Sequence, residues 1–218
     1  MSPYARLEVT LIAVIGGLLT AAVAWYFTTW AFLPAGLTLA LLGFYRDPGR
    51  TPPREANLVL APADGKVVEV TRDATLPDGS RGVRIMIFLS VFDVHVNRSP
   101  CAAQVAAVEY RPGEFRNALS ADADLHNECN TLALTPAAPL PGPIRVRQIA
   151  GVLARRIVCA VQPGDRLTAG QRYGMIKLGS RTEVCLPEHS SWEVLVKVGE
   201  KARGGLTVLA RLRTSENS

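Results

Sequence analysis

The N-terminal part of the chain is almost uniformly apolar. From Leu7 to Tyr45 the only charged residue is Glu8. A membrane-spanning helix needs about 20 apolar residues, so this stretch predicts two short helices, with a break between them at Pro34 to Gly36. The run is too long for a cleaved signal peptide, and no small-residue cleavage site ends it. We therefore predict that residues 1–46 form a membrane-anchoring helical hairpin. A hairpin buried against a globular domain is the alternative.

Beyond residue 46 the pattern changes from long apolar runs to short alternating ones. Residues 47–57 are rich in proline and arginine and are predicted to form a linker. In residues 58–218, apolar and polar positions alternate over short runs bounded by Gly, Pro, Asp or Asn, which is typical of strands. No long amphipathic helix interrupts them, so we predict a mainly β, antiparallel sandwich or barrel-like domain. The candidate strands are Lys66–Thr71, Val83–Leu89, Gln104–Tyr110, Thr131–Thr135, Ile144–Ile149 and Ile157–Val161.

A weak internal repeat supports the β prediction. Val161–Arg166, followed by Gly170, matches Val196–Lys201, followed by Gly205, at a constant offset. Each copy has the pattern of a strand, a glycine turn, a charged crossing and a second glycine turn, and such turns often require a positive φ. The pattern resembles the hairpins of lipoyl and biotinyl carrier domains. Two unrelated hairpins with ordinary turn chemistry are the alternative.

The net charge indicates the class of partner, and the cysteine pattern indicates the redox setting. The net charge is +5 and the sequence pI is about 9.3, which favours an anionic partner. Arg46, Arg50 and Arg54 directly follow the apolar stretch, and no nucleic-acid-binding signature accompanies them, so we predict an anionic membrane surface and no nucleic acid. The four cysteines lack CxxC spacing and are interpreted as small apolar residues in a reducing, cytoplasmic setting. No metal site is expected.

The segment Met175–Val184, with the sequence MIKLGSRTEV, lies between the two copies of the repeat. It resembles the Leu-Gly-Ser maturation site of phosphatidylserine decarboxylases. The resemblance extends along nearly the whole chain, because further motifs occur in the family's order, and the short membrane-anchored bacterial branch is the nearest likeness. These motifs are FYRDPGRTPP at 44–53, LAPADGKV at 60–67, DVHVNRSP at 93–100 and VLARL at 208–212.

The resemblance implies self-cleavage between Gly179 and Ser180, giving a β chain, 1–179, and an α chain, 180–218. A serine hydroxyl can attack the preceding carbonyl, and glycine there permits the contorted backbone that the attack requires. β-Elimination and loss of ammonia would convert Ser180 to a pyruvoyl group, which would form a Schiff base with the substrate in place of pyridoxal phosphate. The implied reaction converts phosphatidylserine to phosphatidylethanolamine and carbon dioxide.

Two further residues are implied to act with Ser180, because a hydroxyl needs a base and the base needs an orienting group. Asp64 matches the aspartate of the family's P-A-D-G motif, and His95 matches the first histidine of its D-x-H segment. Longer members carry a second histidine where this chain has Arg98, so His95 is expected to serve self-cleavage, decarboxylation or both. On the residues alone, Asp64 could be a turn aspartate and His95 a solvent-facing strand residue. No role is assigned to the loop histidines, His126 and His189.

The resemblance also implies a location and an assembly. The enzyme would work at the cytoplasmic face of the cell membrane, and its α and β chains would form a heterodimer that could assemble further. A decarboxylase of another serine-headgroup lipid, such as archaetidylserine, is an alternative. A membrane-tethered lipoyl-like adaptor is another, although no Met-Lys-Met motif is present to carry a modified lysine.

Overall fold

The computed structural model describes residues 1–120, 123–152, 156–177, 179–189 and 191–213. The chain divides into two compact units, Met1–Gly49 and Arg50–Ser218. The first is helical and the second is mainly β, with antiparallel sheets, as the sequence predicts. The predicted linker, 47–57, contains the boundary between the two units.

The N-terminal unit is a helical hairpin. Its elements are a 3-10 turn, Pro3–Ala5, helix α1, Arg6–Tyr26, a second 3-10 turn, Thr28–Trp30, and helix α2, Phe32–Phe44. The break lies at Phe27 to Ala31 and not, as predicted, at Pro34 to Gly36. Pro34 is tolerated because it lies in the first turn of α2, where backbone N–H groups have no partner within the helix.

The two helices pack closely where the side chains are small. A Cβ added to Gly16 of α1 would lie 2.2 Å from Oγ1 of Thr38 in α2. Pro3–Tyr26 is long and apolar enough to cross a bilayer, with a mean hydropathy of 2.1, and is almost entirely exposed. The second apolar segment, Thr28–Phe44, is shorter. Only one of the two predicted spans therefore has the length of a spanning helix.

The C-terminal unit contains fourteen strands and one short helix, α3, Ala123–His126, within the residues that the structure describes. All six predicted strands are present, with bounds that differ by a few residues. The strands are β1 Leu58–Leu60, β2 Gly65–Thr75, β3 Arg81–Leu89, β4 Val96–Arg98, β5 Ala103–Arg111, β6 Cys129–Pro136, β7 Ile144–Ile149, β8 Ile157–Cys159, β9 Arg166–Leu167, β10 Arg172–Ile176, β11 Ser180–Pro187, β12 Trp192–Val194, β13 Lys201–Ala202 and β14 Val208–Leu212.

A central eight-stranded sheet has the order β13-β2-β3-β11-β7-β6-β5-β9, and two three-stranded sheets have the orders β1-β14-β12 and β4-β10-β8. Strand β11 lies in the middle of the large sheet and is buried along nearly its whole length. Its apolar residues Val184 and Leu186 belong to the main core, and each fully buried side chain of this size stabilises the fold by about 1.5–3 kcal/mol.

The fold is built from two equivalent halves, and the second half is inserted in the chain between the two parts of the first. Strands β1–β3 and β11–β14 form one half, and β4–β6 and β7–β10 form the other. The sheet orders are the evidence. The order β13-β2-β3-β11 in one half corresponds to β9-β5-β6-β7 in the other, and the sheet β1-β14-β12 corresponds to β4-β10-β8. The glycine turns of the repeat agree. Gly164 and Gly199 have φ values of 97° and 98°, and their N–H groups donate to the carbonyls of Val105 and Val67, both at 2.8 Å.

One end of the central sheet carries Ser180, and we call it the serine end. Ser180 pairs with Leu89, the last residue of β3, and Arg181 pairs with Ile149, the last residue of β7. Ile149 in turn pairs with Cys129, the first residue of β6. The connections that follow β3, β5 and β7 therefore emerge at the serine end, and the segment joining β10 to β11 reaches it as well.

Candidate active site

Ser180 is fully buried at the start of β11. Its Oγ has no hydrogen-bond partner among the described residues. A buried hydroxyl without a partner costs about 1–3 kcal/mol of desolvation, and such a group in a native fold calls for an explanation such as a chemical role. The preceding residue, Gly179, has a φ of 63°, in the left-handed region that side chains disfavour. Leu178 lies outside the described residues.

The carbonyl of Gly179 is packed against the loop that follows β7. A Cβ added to Gly151 would lie 1.8 Å from the Gly179 oxygen and 3.2 Å from the Cβ of Ala118. Only a glycine at position 151 lets the two backbone segments approach so closely. The bond between Gly179 and Ser180 is therefore held from both sides, by the β11 ladder and by this contact.

His95 is fully buried, so the interpretation as a solvent-facing strand residue is wrong. Its Nδ1 lies 2.9 Å from the carbonyl oxygen of Asp93. Because a carbonyl oxygen only accepts, Nδ1 carries a proton, and the tautomer that this bond selects for a neutral ring has its lone pair at Nε2. The Asp93 side chain accepts hydrogen bonds from Ser90 N and Oγ at 2.8 and 2.6 Å, which fixes the turn that aims the carbonyl.

Two sets of contacts bring the histidine segment to the serine strand. The carbonyl of His95 accepts a hydrogen bond from Ile176 N at 3.1 Å, near the end of β10. Ile176 packs in a small apolar cluster with Ala63, which precedes Asp64, and with Leu89, which pairs with Ser180. The three segments that the sequence singled out therefore meet in one cluster.

A buried polar chain makes the second connection. Asn130 Nδ2 donates to Gln148 Oε1 at 3.0 Å, and Gln148 Nε2 donates to Asn97 Oδ1 at 2.8 Å. Asn97 Nδ2 lies 3.5 Å from Thr182 Oγ1. Asn97 is two residues beyond His95, and Thr182 is two residues beyond Ser180. The chain thus fixes the histidine segment against β11 through hydrogen bonds that burial makes costly to break.

Asp64 lies in a different set of contacts. Its carboxylate accepts two hydrogen bonds from Arg50, with Nη1 to Oδ1 at 2.5 Å and Nη2 to Oδ2 at 2.8 Å, and a third from Gly204 N at 2.8 Å. Arg50 Nη1 also donates to the carbonyl of Gly204 at 2.6 Å. The oxygen against Nδ1 of His95 belongs to Asp93, so in this state of the chain Asp64 is held by Arg50 and by the turn after β13.

Arg50 corrects one interpretation of the sequence. It was grouped with Arg46 and Arg54 as a residue facing an anionic membrane, but its side chain is 7% exposed and paired with Asp64. The pairing is bidentate, the geometry in which a planar guanidinium binds a carboxylate most strongly. Spacing alone gave no signal for this pair, since the two residues belong to different motifs.

The opposite face of β11 carries a buried ion cluster. Glu183 lies 2.8 Å from Arg147 Nη1 and 2.9 Å from Arg181 Nη2, and all three side chains are buried. Burial is the largest single influence and acts to lower the pKa of Arg147, but Glu183 and the other nearby acidic groups together outweigh it and the pKa is raised. Arg181 Nη1 also donates to the carbonyl of Ala118 at 3.0 Å, which ties the loop after β5 to the residue next to Ser180.

A cavity of about 400 Å³ adjoins this face of the serine strand. Its charged lining residues carry both signs, so the cavity could accommodate a small zwitterionic group. The lining residues are Val68, Glu69, Arg84, Met86, Leu119, Ser120, Asp124 and Arg181.

Comparisons with known proteins bear on this geometry. The family model described as phosphatidylserine decarboxylase matches residues 37–210. The chain belongs to the phosphatidylserine decarboxylase family. A protein of Symbiobacterium thermophilum named phosphatidylserine decarboxylase proenzyme is 46% identical over 91% of this chain and 92% of its own. Proteins with the same name from Gluconobacter oxydans and Rhodopirellula baltica are 49% and 40% identical, over 80% and 96% of this chain and 78% and 88% of theirs.

Membership in the phosphatidylserine decarboxylase family assigns the chain to the decarboxylases, and its relatives are named as proenzymes. The family motifs quoted from the sequence fall on the elements described above. FYRDPGRTPP contains Arg50, LAPADGKV contains Asp64, DVHVNRSP contains His95, and VLARL is β14. Arg98, which stands where longer members have a second histidine, is buried, and its Nη1 donates to the Gly170 carbonyl at 3.2 Å.

Proposed function

We propose that this chain is a proenzyme that cleaves itself between Gly179 and Ser180 and then decarboxylates phosphatidylserine. The observation that carries the proposal is the buried Oγ of Ser180, which has no hydrogen-bond partner among the described residues and directly follows a left-handed glycine. A buried hydroxyl without a partner costs stability, so a strand residue in a central sheet ordinarily lacks one. A role as the nucleophile that attacks the adjacent peptide bond would explain the hydroxyl of Ser180.

Self-cleavage would proceed in three balanced steps. The Oγ of Ser180 attacks the carbonyl carbon of Gly179, its proton passes to a base, and the C–N bond breaks to leave an ester and a free amine. Removal of the α-proton of residue 180 then breaks the Cβ–O bond and releases the Gly179 carboxylate, leaving dehydroalanine. Water finally replaces the nitrogen, which leaves as ammonia, and residue 180 becomes a pyruvoyl group.

We assign the base to Nε2 of His95. The support is the hydrogen bond from Nδ1 to Asp93, which leaves the lone pair at Nε2, and the contacts that hold this segment against β11. The role expected for Asp64 remains a prediction. In the uncut chain its contacts are to Arg50 and Gly204, so it would act by positioning the segment between β1 and β2.

When an amine-bearing substrate loses carbon dioxide, the electrons of the broken C–C bond need an acceptor. The pyruvoyl carbonyl would provide that acceptor, so pyridoxal phosphate would not be needed. The residues present fit a group formed at this position, because the reacting atom belongs to Ser180 itself. His95 would also provide the proton that replaces carbon dioxide.

The lipid substrate follows from the names of the relatives and from the apolar helix Pro3–Tyr26, which would hold the enzyme at the bilayer that contains the substrate. We place the enzyme at the cytoplasmic face of the cell membrane, with the chains 1–179 and 180–218 remaining associated. A lipid with another backbone, such as archaetidylserine, has the same headgroup and is the second candidate substrate.

Intact mass spectrometry of the purified protein tests the proposal. We expect two polypeptides, and the smaller should be lighter by one ammonia than an unmodified fragment starting at Ser180. Ser180→Ala should remain one full-length chain without activity. Ser99→Ala is the matched control, because Ser99 is also fully buried but its Oγ donates to the Cys101 carbonyl at 2.7 Å. An active preparation that consists of one uncut chain would refute the proposal.

The assignment of the base has its own test. His95→Ala should cleave itself far more slowly than the wild type, whereas His126→Ala, which removes an exposed histidine of α3, should cleave normally. Cleavage is followed as the appearance of the smaller fragment over time after synthesis. Normal cleavage and normal decarboxylation by His95→Ala would remove this residue from the mechanism.

A further inference from the structure

Large apolar side chains that are exposed on the C-terminal unit are concentrated at one end of the central sheet. Of the nine in the described part of this unit, seven lie at or beyond the strand ends of the serine end. They come from three separate connections, after β3, β5 and β7, and from the end of β5. The seven are Val91, Phe92, Tyr110, Phe115, Leu119, Leu125 and Val152, and we call them the apolar rim.

The opposite end of the sheet has no such residues. Its connections are 76–80, 137–143 and the described part of 188–191, and the large apolar residues there, Leu76 and Leu140, are buried. Both ends are built from loops of the same sheet, so an apolar surface is not a general property of these loops. Contiguous exposed apolar surface on a soluble unit marks an interaction site.

The apolar rim surrounds the candidate active site. Phe92, which is 83% exposed, is three residues before His95. Leu119 follows Ala118, whose carbonyl binds Arg181, and Val152 follows Gly151, which packs against Gly179. Each loop that contacts the scissile segment therefore also presents an apolar side chain to the outside.

Two exposed arginines lie at the same end, in loops that also contain carboxylates such as those of Glu114 and Asp124. Arg111 and Arg156 are both exposed there. The guanidinium of Arg111 donates to two carbonyl oxygens, of Asp124 and Asn127, which neutralise none of its charge. Apolar side chains together with arginines are the composition of surfaces that lie in the headgroup region of a bilayer.

We propose that the apolar rim inserts into the bilayer, so that the C-terminal unit binds the membrane with the serine end facing the lipid. This contact is separate from the anchor formed by Pro3–Tyr26. Only the choice of a lipid bilayer as the partner of the rim rests on the proposed function, in which a lipid substrate must reach the serine end. The rim would let the headgroup pass from the bilayer to the site without crossing water.

The position of the rim is measured on the full-length chain in nanodiscs that contain phosphatidylserine. A fluorophore is attached at Phe92→Cys or, as the matched control, at Ser80→Cys in the β2–β3 turn of the opposite end. Both variants carry Cys159→Ala, because the other three cysteines are buried. Lipids with a spin label on the acyl chain should quench the fluorophore at position 92 several-fold more than the one at position 80.

Equal quenching at the two positions would overturn the proposal. Energy transfer between differently labelled copies at position 92, without quenching by lipid, would show that a second copy of the chain covers the rim and would also overturn it. The measurement is repeated with Ser180→Ala, which does not need to cleave. If the chain with Ser180 intact stays uncut and position 92 is still quenched, the proposed function fails and the rim stands. If that chain cleaves and position 92 is not quenched, the rim fails and the proposed function stands.

Activity provides a second readout. The combined variant Phe92→Ser, Leu125→Ser and Val152→Ser should raise KM for phosphatidylserine in vesicles by on the order of tenfold or more, because three apolar contacts with the bilayer are lost. The kcat toward a short-chain, monomeric phosphatidylserine should stay unchanged, as should self-cleavage. Val198→Ser is the control, since Val198 is also an exposed valine but is not part of the rim. An unchanged KM on vesicles would contradict the inference.

Discussion

Removing the guanidinium of Arg50 should destabilise the C-terminal unit strongly. In Arg50→Ala the carboxylate of Asp64 keeps only the hydrogen bond from Gly204 N and loses both bonds to the guanidinium. The two side chains are 7% and 14% exposed, so water does not readily replace the lost partner. The variant also leaves the carbonyl of Gly204 without its bond from Nη1.

The size of the effect follows from this burial. Breaking a buried ion pair by removing one partner costs about 3–5 kcal/mol, because an uncompensated charge is left behind. Asp64 keeps one donor and some exposure, so we expect the lower limit, about 3 kcal/mol. For a unit of this size the corresponding loss is about 6–12 °C in Tm.

The assay is thermal unfolding at pH 7, followed by circular dichroism, with every variant in a Ser180→Ala background so that each sample is one uncut chain. Arg81→Ala is the control, because Arg81 forms an ion pair with Asp73 that is exposed on both sides, and its Tm should not change measurably. The double variant Arg50→Ala, Asp64→Ala should be less destabilised than the sum of the single variants. Additive single variants, or an Arg50→Ala Tm equal to that of the control, would refute the reasoning.

Three further results are expected. Gly151→Ala should slow self-cleavage strongly, because its Cβ would lie 1.8 Å from the Gly179 oxygen; cleavage at the normal rate, measured on gels, would contradict this packing. Burial acts to raise the pKa of Glu69, but hydrogen bonds from a neighbouring hydroxyl and guanidinium outweigh it and lower the pKa below 4.5. Glu69 therefore adds stability above pH 4.5 that is lost as the pH falls further, and Glu69→Gln should show a smaller drop in Tm on acidification than the wild type. Burial raises the pKa of Cys185 to about 12, so this thiol should resist alkylation at pH 8 until the protein unfolds, while the partly exposed Cys159 reacts earlier.

Alternation and turn residues were sufficient to predict the longer strands. Val83–Leu89 and Ile144–Ile149 lie within β3 and β7 because each is a run of buried residues with a strand's periodicity. The two-residue strands β9 and β13 are too short to have a period and are not among the predicted strands; the sequence indicates only the glycine turns beside them. The prediction of a helical break at Pro34 is wrong because a proline in the first turn leaves a helix intact.

The chemistry at Ser180 could be predicted only as a motif. No local pattern in the sequence indicates that its hydroxyl is buried, because burial is created by pairing with Leu89 from a distant part of the chain. The same holds for Arg50 and Asp64, whose contact depends on the turn at Gly204. Long-range pairing of this kind leaves no trace in spacing, whereas the turn that orients His95 is local and contained in the residues from Ser90 to Asp93.

The insertion of one half into the other has a consequence for how the enzyme is made. Cleavage before Ser180 would leave β11 between β3 and β7, with β13 paired to β2 and β14 paired to β1, so the smaller product would contribute strands to two sheets of the larger one. The peptide bond between Gly179 and Ser180 would be needed only until the strands on its two sides have paired. Translation as one chain supplies both products in equal number and in the correct register, which two separate messages could not guarantee. Cleavage after folding, as proposed, would keep strand pairings that two separate chains would have to form between them.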